Sequence, residues 1–97
     1  MDIYSMPEAF ESRVRLAILS SLLSGVKNFN EIKEITKTSD GNLSTHLSKL
    51  EILKYINSKK EFVGKKPKTT YEITQIGRTD FKAYVNFLEA IISDNIE

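Results

Sequence analysis

The apolar positions along this chain change their period once, and the change divides it into two parts. From Glu8 to Ser24 they recur at helical spacing. Phe10, Val14, Ala17 and Ile18 make one stripe that Ser21 continues, and Leu16, Leu19 and Leu23 make a second beside it. Pro7 stands where a first helical turn tolerates proline, and Gly25 where a helix commonly stops. A shorter helix is predicted from Glu31 to about Thr36, with Asn30 as its cap and Ile32 and Ile35 turned inward. "TKTSD" supplies turn residues and a new cap at Thr38 or Ser39. The third helix then runs over residues 39–53, with Leu43, Leu47 and Leu50 on one stripe.

After this helix the period falls to two. "YINSKKEFVG" and "TTYEIT" alternate as the strands of a hairpin. Ile56 and Phe62 point one way, Tyr55 and Val63 the other, and Tyr71 and Ile73 share a face. Between the strands lies the Gly, Pro and Lys punctuation of "GKKPK", residues 64–68. Thr74 can cap a last helix from Gln75 to about Asp94, and Val26 to Phe29 can add a short extra strand. The predicted order is α-α-α-β-β-α, mainly helical with one small hairpin, in a single domain over residues 1–97. Two helices joined by a tight polar turn and followed by a hairpin with a basic tip make the winged helix-turn-helix plan.

The face of the third helix opposite its leucines is unusual for a solvated helix, which commonly carries Glu and Lys pairs. At about 100° per residue, Gly41, Thr45 and Ser48 point almost straight out, with Asn42 and Lys49 on one flank and Ser44 on the other. An α-helix fits the major groove of DNA, and its exposed face must then offer small donors and acceptors to base edges. Charge points the same way. The chain's net charge is only +1, but Lys33 to Lys68 holds nine lysines against four acids, while the rest holds five basic residues and nine acids. A basic middle between acidic ends predicts a polyanion for the middle.

"RVRLAILSSLLSG", "FNEIKEIT", "SDGNLSTHLSKLE", "GKKPKTTYEIT" and "GRTDFKAYVNFLEAII" together resemble the small stand-alone winged-helix transcriptional regulators related to the MarR and ArsR groups, over about Phe10 to Ile92. The most specific stretch is "GNLSTHLSKLE" with the Lys-rich wing and "TYEIT" after it. The resemblance implies a homodimer that binds double-stranded DNA and regulates transcription. It carries DNA contacts onto Ser39, Asn42, Thr45 and Ser48 of the recognition helix and onto Lys65, Lys66 and Lys68 of the wing. The chain departs from the family where a glycine often precedes the first strand's aromatic: Lys54 stands there, two residues after Ile52.

The candidate DNA surface is therefore Ser39, Gly41, Asn42, Ser44, Thr45, Ser48 and Lys49 for the helix, with Lys59, Lys60, Lys65, Lys66 and Lys68 for phosphates. The terminal helices, about residues 8–24 and 75–94, carry more apolar surface than one small core needs. Leu16, Leu19 and Leu23 with Phe81, Tyr84, Val85, Phe87, Leu88, Ile91 and Ile92 are the expected dimer interface, which would set the protein on a near-palindromic site. Repression is favoured over activation, because so small a chain has little surface left to recruit polymerase. The alternative is a winged helix that docks on another protein, for which Ile52 speaks and the small polar face does not.

Several classes are not expected. Cysteine is absent and His46 is the lone histidine, so no thiolate site, metal site or metal sensor is predicted, and His46 reads as a packed structural residue. No phosphate-binding glycine loop or nucleophile motif marks an enzyme, and no cofactor is implied. No residue set specifies a small-molecule effector. The start "MDIYSMPEAF" has an early acid and no long apolar run, and no segment approaches the roughly 18 apolar residues of a membrane span. A cytoplasmic protein without membrane contact is the expectation.

Overall fold

The expected first helix is broken in two at Glu11 and Ser12. In the computed structural model, which describes residues 2 and 4–95 (the side chain of Asn95 excepted), Glu8–Phe10 form a single 3-10 turn and α1 begins only at Arg13, spanning Arg13–Leu22. The cause is Ser12, whose backbone is extended and whose hydroxyl accepts the Arg15 N–H at 3.2 Å. A serine capping a helix start in this way cannot also sit inside a helix that began earlier. The break lets Phe10 leave the α1 stripe and enter the core from the side.

After α1 come β1 (Lys27–Asn28), α2 (Phe29–Thr36), α3 (Asp40–Ile52), β2 (Ile56–Val63), β3 (Lys66–Ile73) and α4 (Gln75–Asn95). The three antiparallel strands lie in the order β1-β3-β2, so the anticipated extra strand exists but is two residues long, pairing Lys27 with Tyr71 and Asn28 with Thr70. The cap of α2 is Asn28 rather than Asn30. Asn28 Oδ1 accepts the Glu31 N–H at 2.9 Å, and Glu31 Oε1 accepts the Asn28 N–H at 3.0 Å, a reciprocal capping box. With the helix starting earlier, Phe29, Ile32 and Thr36 form the inward stripe and Ile35 is left exposed, contrary to the expectation. Asn28 thus joins the sheet to the first helix of the helix-turn-helix.

Lys37 makes the turn in the left-handed region (φ 51°), and Ser39 caps α3 by accepting the Asn42 N–H at 3.2 Å. Leu43, Leu47 and Leu50 are buried as predicted, alongside Ile18, Leu19 and Leu22 of α1, Ile32 of α2 and Ile56 of β2. Each such side chain contributes about 1.5–3 kcal/mol when fully removed from water. This cluster fixes how α3 sits on the rest of the fold.

α3 ends in a Schellman motif without its usual glycine. The Tyr55 N–H reaches the Leu50 carbonyl at 2.9 Å, the Lys54 N–H reaches Glu51 at 2.9 Å, and Lys54 takes φ 64°. Lys54 therefore takes the left-handed position that glycine usually fills in this motif, at a steric cost. Tyr55, next in the chain, is the joint to α4. Its carbonyl accepts the Thr74 N–H at 2.9 Å, and its hydroxyl donates to Asp80 Oδ2 at 2.6 Å. The Thr74 hydroxyl bonds the Lys54 carbonyl at 2.7 Å and accepts the Gly77 N–H at 2.9 Å, so Thr74 is the α4 cap, as its place in the sequence suggested. Gly77 is pressed so closely on this joint that a Cβ there would overlap the Tyr55 carbonyl oxygen and lie 2.9 Å from Ile73 Cγ1.

Two substitutions should move stability in opposite directions. Gly77→Ala forces backbone apart at the joint and should cost about 1–3 kcal/mol in urea unfolding. Lys54→Gly relieves a left-handed lysine and should gain about 0.5–1 kcal/mol after the glycine's own entropy cost. A Gly77→Ala protein as stable as wild type, or a Lys54→Gly protein less stable, contradicts this reading of the joint.

Candidate nucleic-acid interface

Gly41, Asn42, Ser44, Thr45 and Ser48 all lie exposed on the outward face of α3, and Ile52, 74% exposed, continues the line of Gly41, Thr45 and Ser48. Ser44, Thr45, Ser48, Lys49 and Ile52 line one shallow surface depression of about 440 Å³. The face is held in a particular presentation. Asn42 Nδ2 donates to Thr38 Oγ1 at 2.6 Å, which ties the amide back toward the turn. The Thr45 hydroxyl donates to the Gly41 carbonyl at 3.0 Å, leaving an acceptor oxygen and a methyl as its outward groups. The Ser39 hydroxyl is occupied as the helix cap. Asp40 sits in the first turn, where a phosphate would otherwise find the free N–H groups, and Lys33 pairs with it at 2.7 Å.

The lysines divide into two groups. Lys49 Nζ lies 2.9 Å from Glu8 Oε1, a pair that also holds the Glu8 carboxyl below the usual carboxylate range. Lys59 pairs with Glu61 at 2.9 Å on the same face of β2. Lys60, Lys65, Lys66 and Lys68 make no ion pair among the described residues and are exposed. The wing is longer than the anticipated loop. Gly64, in the left-handed region at φ 66°, and Lys65 make the turn, while Lys66 and Lys68 belong to β3, Val63 pairing with Lys66 and Glu61 with Lys68. Lys66 and Lys68 alternate with Pro67, so both point to the face of the ribbon opposite Pro67.

Arg15 is a residue that the apolar pattern could not single out. Its Nε donates to the Ala9 carbonyl at 3.2 Å and its Nη2 to the Glu8 carbonyl at 2.8 Å, so it clamps the 3-10 turn. Its Nη1 lies 3.3 Å from His46 Nδ1. A guanidinium only donates, so the imidazole accepts there and is neutral. His46 is half-buried on the flank of α3 with this single polar neighbour, which agrees with a structural role. Arg78 Nη1 comes within 3.5 Å of the Leu23 carbonyl at the end of α1.

The apolar residues assigned to a dimer interface fall into two sets. Leu19 is fully buried inside the protomer and has no surface to offer a partner, a correction to the expectation; the signal read as a spare stripe was the core itself. Phe81 and Tyr84 are half-buried around Phe10: the Phe10 ring stacks on Tyr84 at 4.6 Å and meets Phe81 edge-on at 6.1 Å. Leu16 and Leu23 are half-buried. Farther along α4, Val85 and Phe87 are half-buried, and Leu88, Ile91 and Ile92 are exposed on the stretch that runs beyond the core. Among the described residues no helix is long and apolar enough to cross a membrane.

Known proteins share this arrangement. The family model described as a winged helix DNA-binding domain matches residues 14–92. The uncharacterized protein MJ0432 of Methanocaldococcus jannaschii is 41% identical over 90 residues, covering 91% of this chain and 96% of its own. A transcriptional regulator homologue from Pyrococcus horikoshii OT3 superposes with a TM-score of 0.75 at 28% identity, over 90% of this chain and 92% of that one. The transcriptional repressor BigR of Xylella fastidiosa has the same fold, with a TM-score of 0.69 at 19% identity over 86% and 78% of the two chains.

Partial burial, and then the Arg15 guanidinium, hold the His46 imidazole below its ordinary value of about 6.5. The unfolded chain then takes up this proton at a higher pH than the folded one. The contribution to stability is complete above about pH 6.5 and is lost as pH falls through the lower native value. Melting curves of wild type and His46→Gln should therefore diverge as pH drops from 7 toward 5, with wild type losing more. In a proton NMR titration of this lone imidazole, Arg15→Met should raise the midpoint, and an unmoved midpoint contradicts the assigned cause.

Proposed function

The chain belongs to the family of winged helix DNA-binding domains and is a DNA-binding regulator of transcription, and we propose that it works as a homodimeric, cytoplasmic repressor on a near-palindromic double-stranded site. Each protomer lays α3 in the major groove, where Asn42 and Thr45 read bases and Gly41, Ser44 and Ser48 let the helix approach closely. The wing lysines Lys65, Lys66 and Lys68, with Lys60, take phosphates. Lys49 and Lys59 join them by exchanging Glu8 and Glu61 for DNA, while Ser39 positions the helix as its cap.

The observation that carries this reading is the pairing of surfaces. A helix face of small polar groups lies in the same domain as a hairpin that carries five lysines and the single acid Glu61 between Lys59 and Lys68, with Lys60, Lys65, Lys66 and Lys68 in no ion pair among the described residues. The dimer is supported by the exposed run of Leu88, Ile91 and Ile92 on α4, with Val85 and Phe87 beside it, to which Leu16 and Leu23 can add. A two-fold pair would place the recognition helices about 34 Å apart.

Binding to a duplex recovered from a random pool, compared with unselected DNA across a salt series, tests the division of labour. Asn42→Ala or Thr45→Ala should cost about 1–3 kcal/mol on the selected duplex and little on unselected DNA. Replacing Lys65, Lys66 and Lys68 together should weaken both and lower the salt slope by about 0.9 for each phosphate that is no longer neutralised. Equal losses on both DNAs for the helix variants, or an unaltered slope for the wing variant, would remove α3 or the wing from the interface.

A further inference from the structure

Beyond Ser58 and Thr69 the hairpin leaves the body of the protein, and residues 57–68 are exposed throughout. Its tip is nevertheless not polar. Phe62 is 72% exposed, Val63 is 60% exposed, and Pro67 stands directly across from Phe62 in the strand register. Phe62 and Pro67 share one face of the ribbon and Val63 lies on the other, too few apolar side chains to make a core there. Lys60 shares the Phe62 face, Lys65 stands at the turn, and Lys59, Lys66 and Lys68 lie on the other face with Glu61, which Lys59 holds at 2.9 Å. An exposed aromatic on a ribbon that carries cations on both faces is complementary to a polyanion with an apolar interior. Duplex DNA is one, its base stack lying between two phosphate strands.

We propose that Phe62 is a wedge: the hairpin tip reaches the minor groove beside the site of α3, and the Phe62 ring enters between two base pairs and kinks the duplex. This rests on the DNA-binding reading above and adds a deformation to it. The ring is planar and can take over part of the stacking it interrupts, which the branched Val63 cannot do. Pro67 backs the ring across the ladder with a fixed φ and no N–H to leave unpaired. The lysines on both sides hold the phosphates that a kink brings toward the protein. Unstacking is cheapest at pyrimidine–purine steps, so the wedge selects for a TA or CA/TG step flanking each half-site, at a position no side chain reads by hydrogen bonds. An anionic membrane is the poorer fit, because stable interfacial binding takes a larger apolar face than three side chains at a turn.

The test uses the full chain and a duplex recovered from a random pool by wild type, with 2-aminopurine placed in turn at each adenine. Wild type should raise the fluorescence at a flanking step several-fold, and the complex should migrate as bent DNA in a circular-permutation series. Phe62→Ala should abolish both signals and weaken binding at least several-fold, while Phe62→Trp, which keeps a planar ring, should retain most of the signal. Because Phe62 is exposed, the melting temperature should be the same in all three proteins. Bound wild type with no change at any 2-aminopurine position overturns the wedge and leaves the DNA reading standing; failure of wild type to retain any duplex overturns both. Phe62→Ala that binds and bends DNA as wild type does, but loses self-association or binding to phosphatidylserine vesicles, assigns the tip to another partner and overturns the proposal.

Discussion

Everything that positions this molecule's working surfaces passes through the backbone of Lys54 and Tyr55. At that point α3 ends, β2 begins and α4 docks, and the same two carbonyls serve all three. The Tyr55 carbonyl takes the Thr74 N–H, the Lys54 carbonyl takes the Thr74 hydroxyl, and Gly77 packs without a side chain against both the carbonyl of Tyr55 and Ile73. Tyr55 is buried, and leaving its carbonyl unpaired would cost about 1–3 kcal/mol, which favours this arrangement of the joint. The end of α3, the start of the hairpin and the start of α4 are thereby held at a set orientation. The Tyr55 hydroxyl, its ionisation pushed up by burial and then by Asp80, stays a neutral donor and ties the joint to α4.

The second organising feature is where the acids lie. Asp40 neutralises Lys33, Glu8 neutralises Lys49 and Glu61 neutralises Lys59. Near the helix the protein has supplied its own counter-charges, so small polar groups rather than net charge dominate that face. On the hairpin Lys60, Lys65, Lys66 and Lys68 make no ion pair among the described residues. Exposed ion pairs of this kind contribute little to stability. Their effect is on which lysines already hold a partner and which do not.

Much of this is legible in the sequence. The leucines at 43, 47 and 50 and the alternation in "TTYEIT" each state their local structure through spacing alone, and the small outward face of α3 follows from them; the turn residues narrow the cap of α3 to Thr38 or Ser39, and the structure places it at Ser39. Where the fold departs from the pattern, two signals compete. Asn28 and Asn30 both resemble helix caps, and Glu31 three places after Asn28 is the cue that decides between them. Ser12 sits inside a convincing helical stripe, yet its hydroxyl stops one helix and starts another. Leu19 looks like spare apolar surface because a one-dimensional stripe does not reveal that α2, α3 and the sheet close over it. The contacts of Arg15 with His46 and of Gly77 with Tyr55 join residues far apart in the chain, and no local pattern announces them.

If α3 and the hairpin together are the surface that meets DNA, both must respond when DNA is added and the core behind them must not. Titrating the isotopically labelled protein with a selected duplex, and following every backbone amide by NMR, reads this residue by residue. The large shifts should fall on residues 39–49 and 59–68, with the core strands and α1 nearly still. Large shifts confined to α2, to α1 or to the exposed end of α4, with residues 41–48 unmoved, would contradict it.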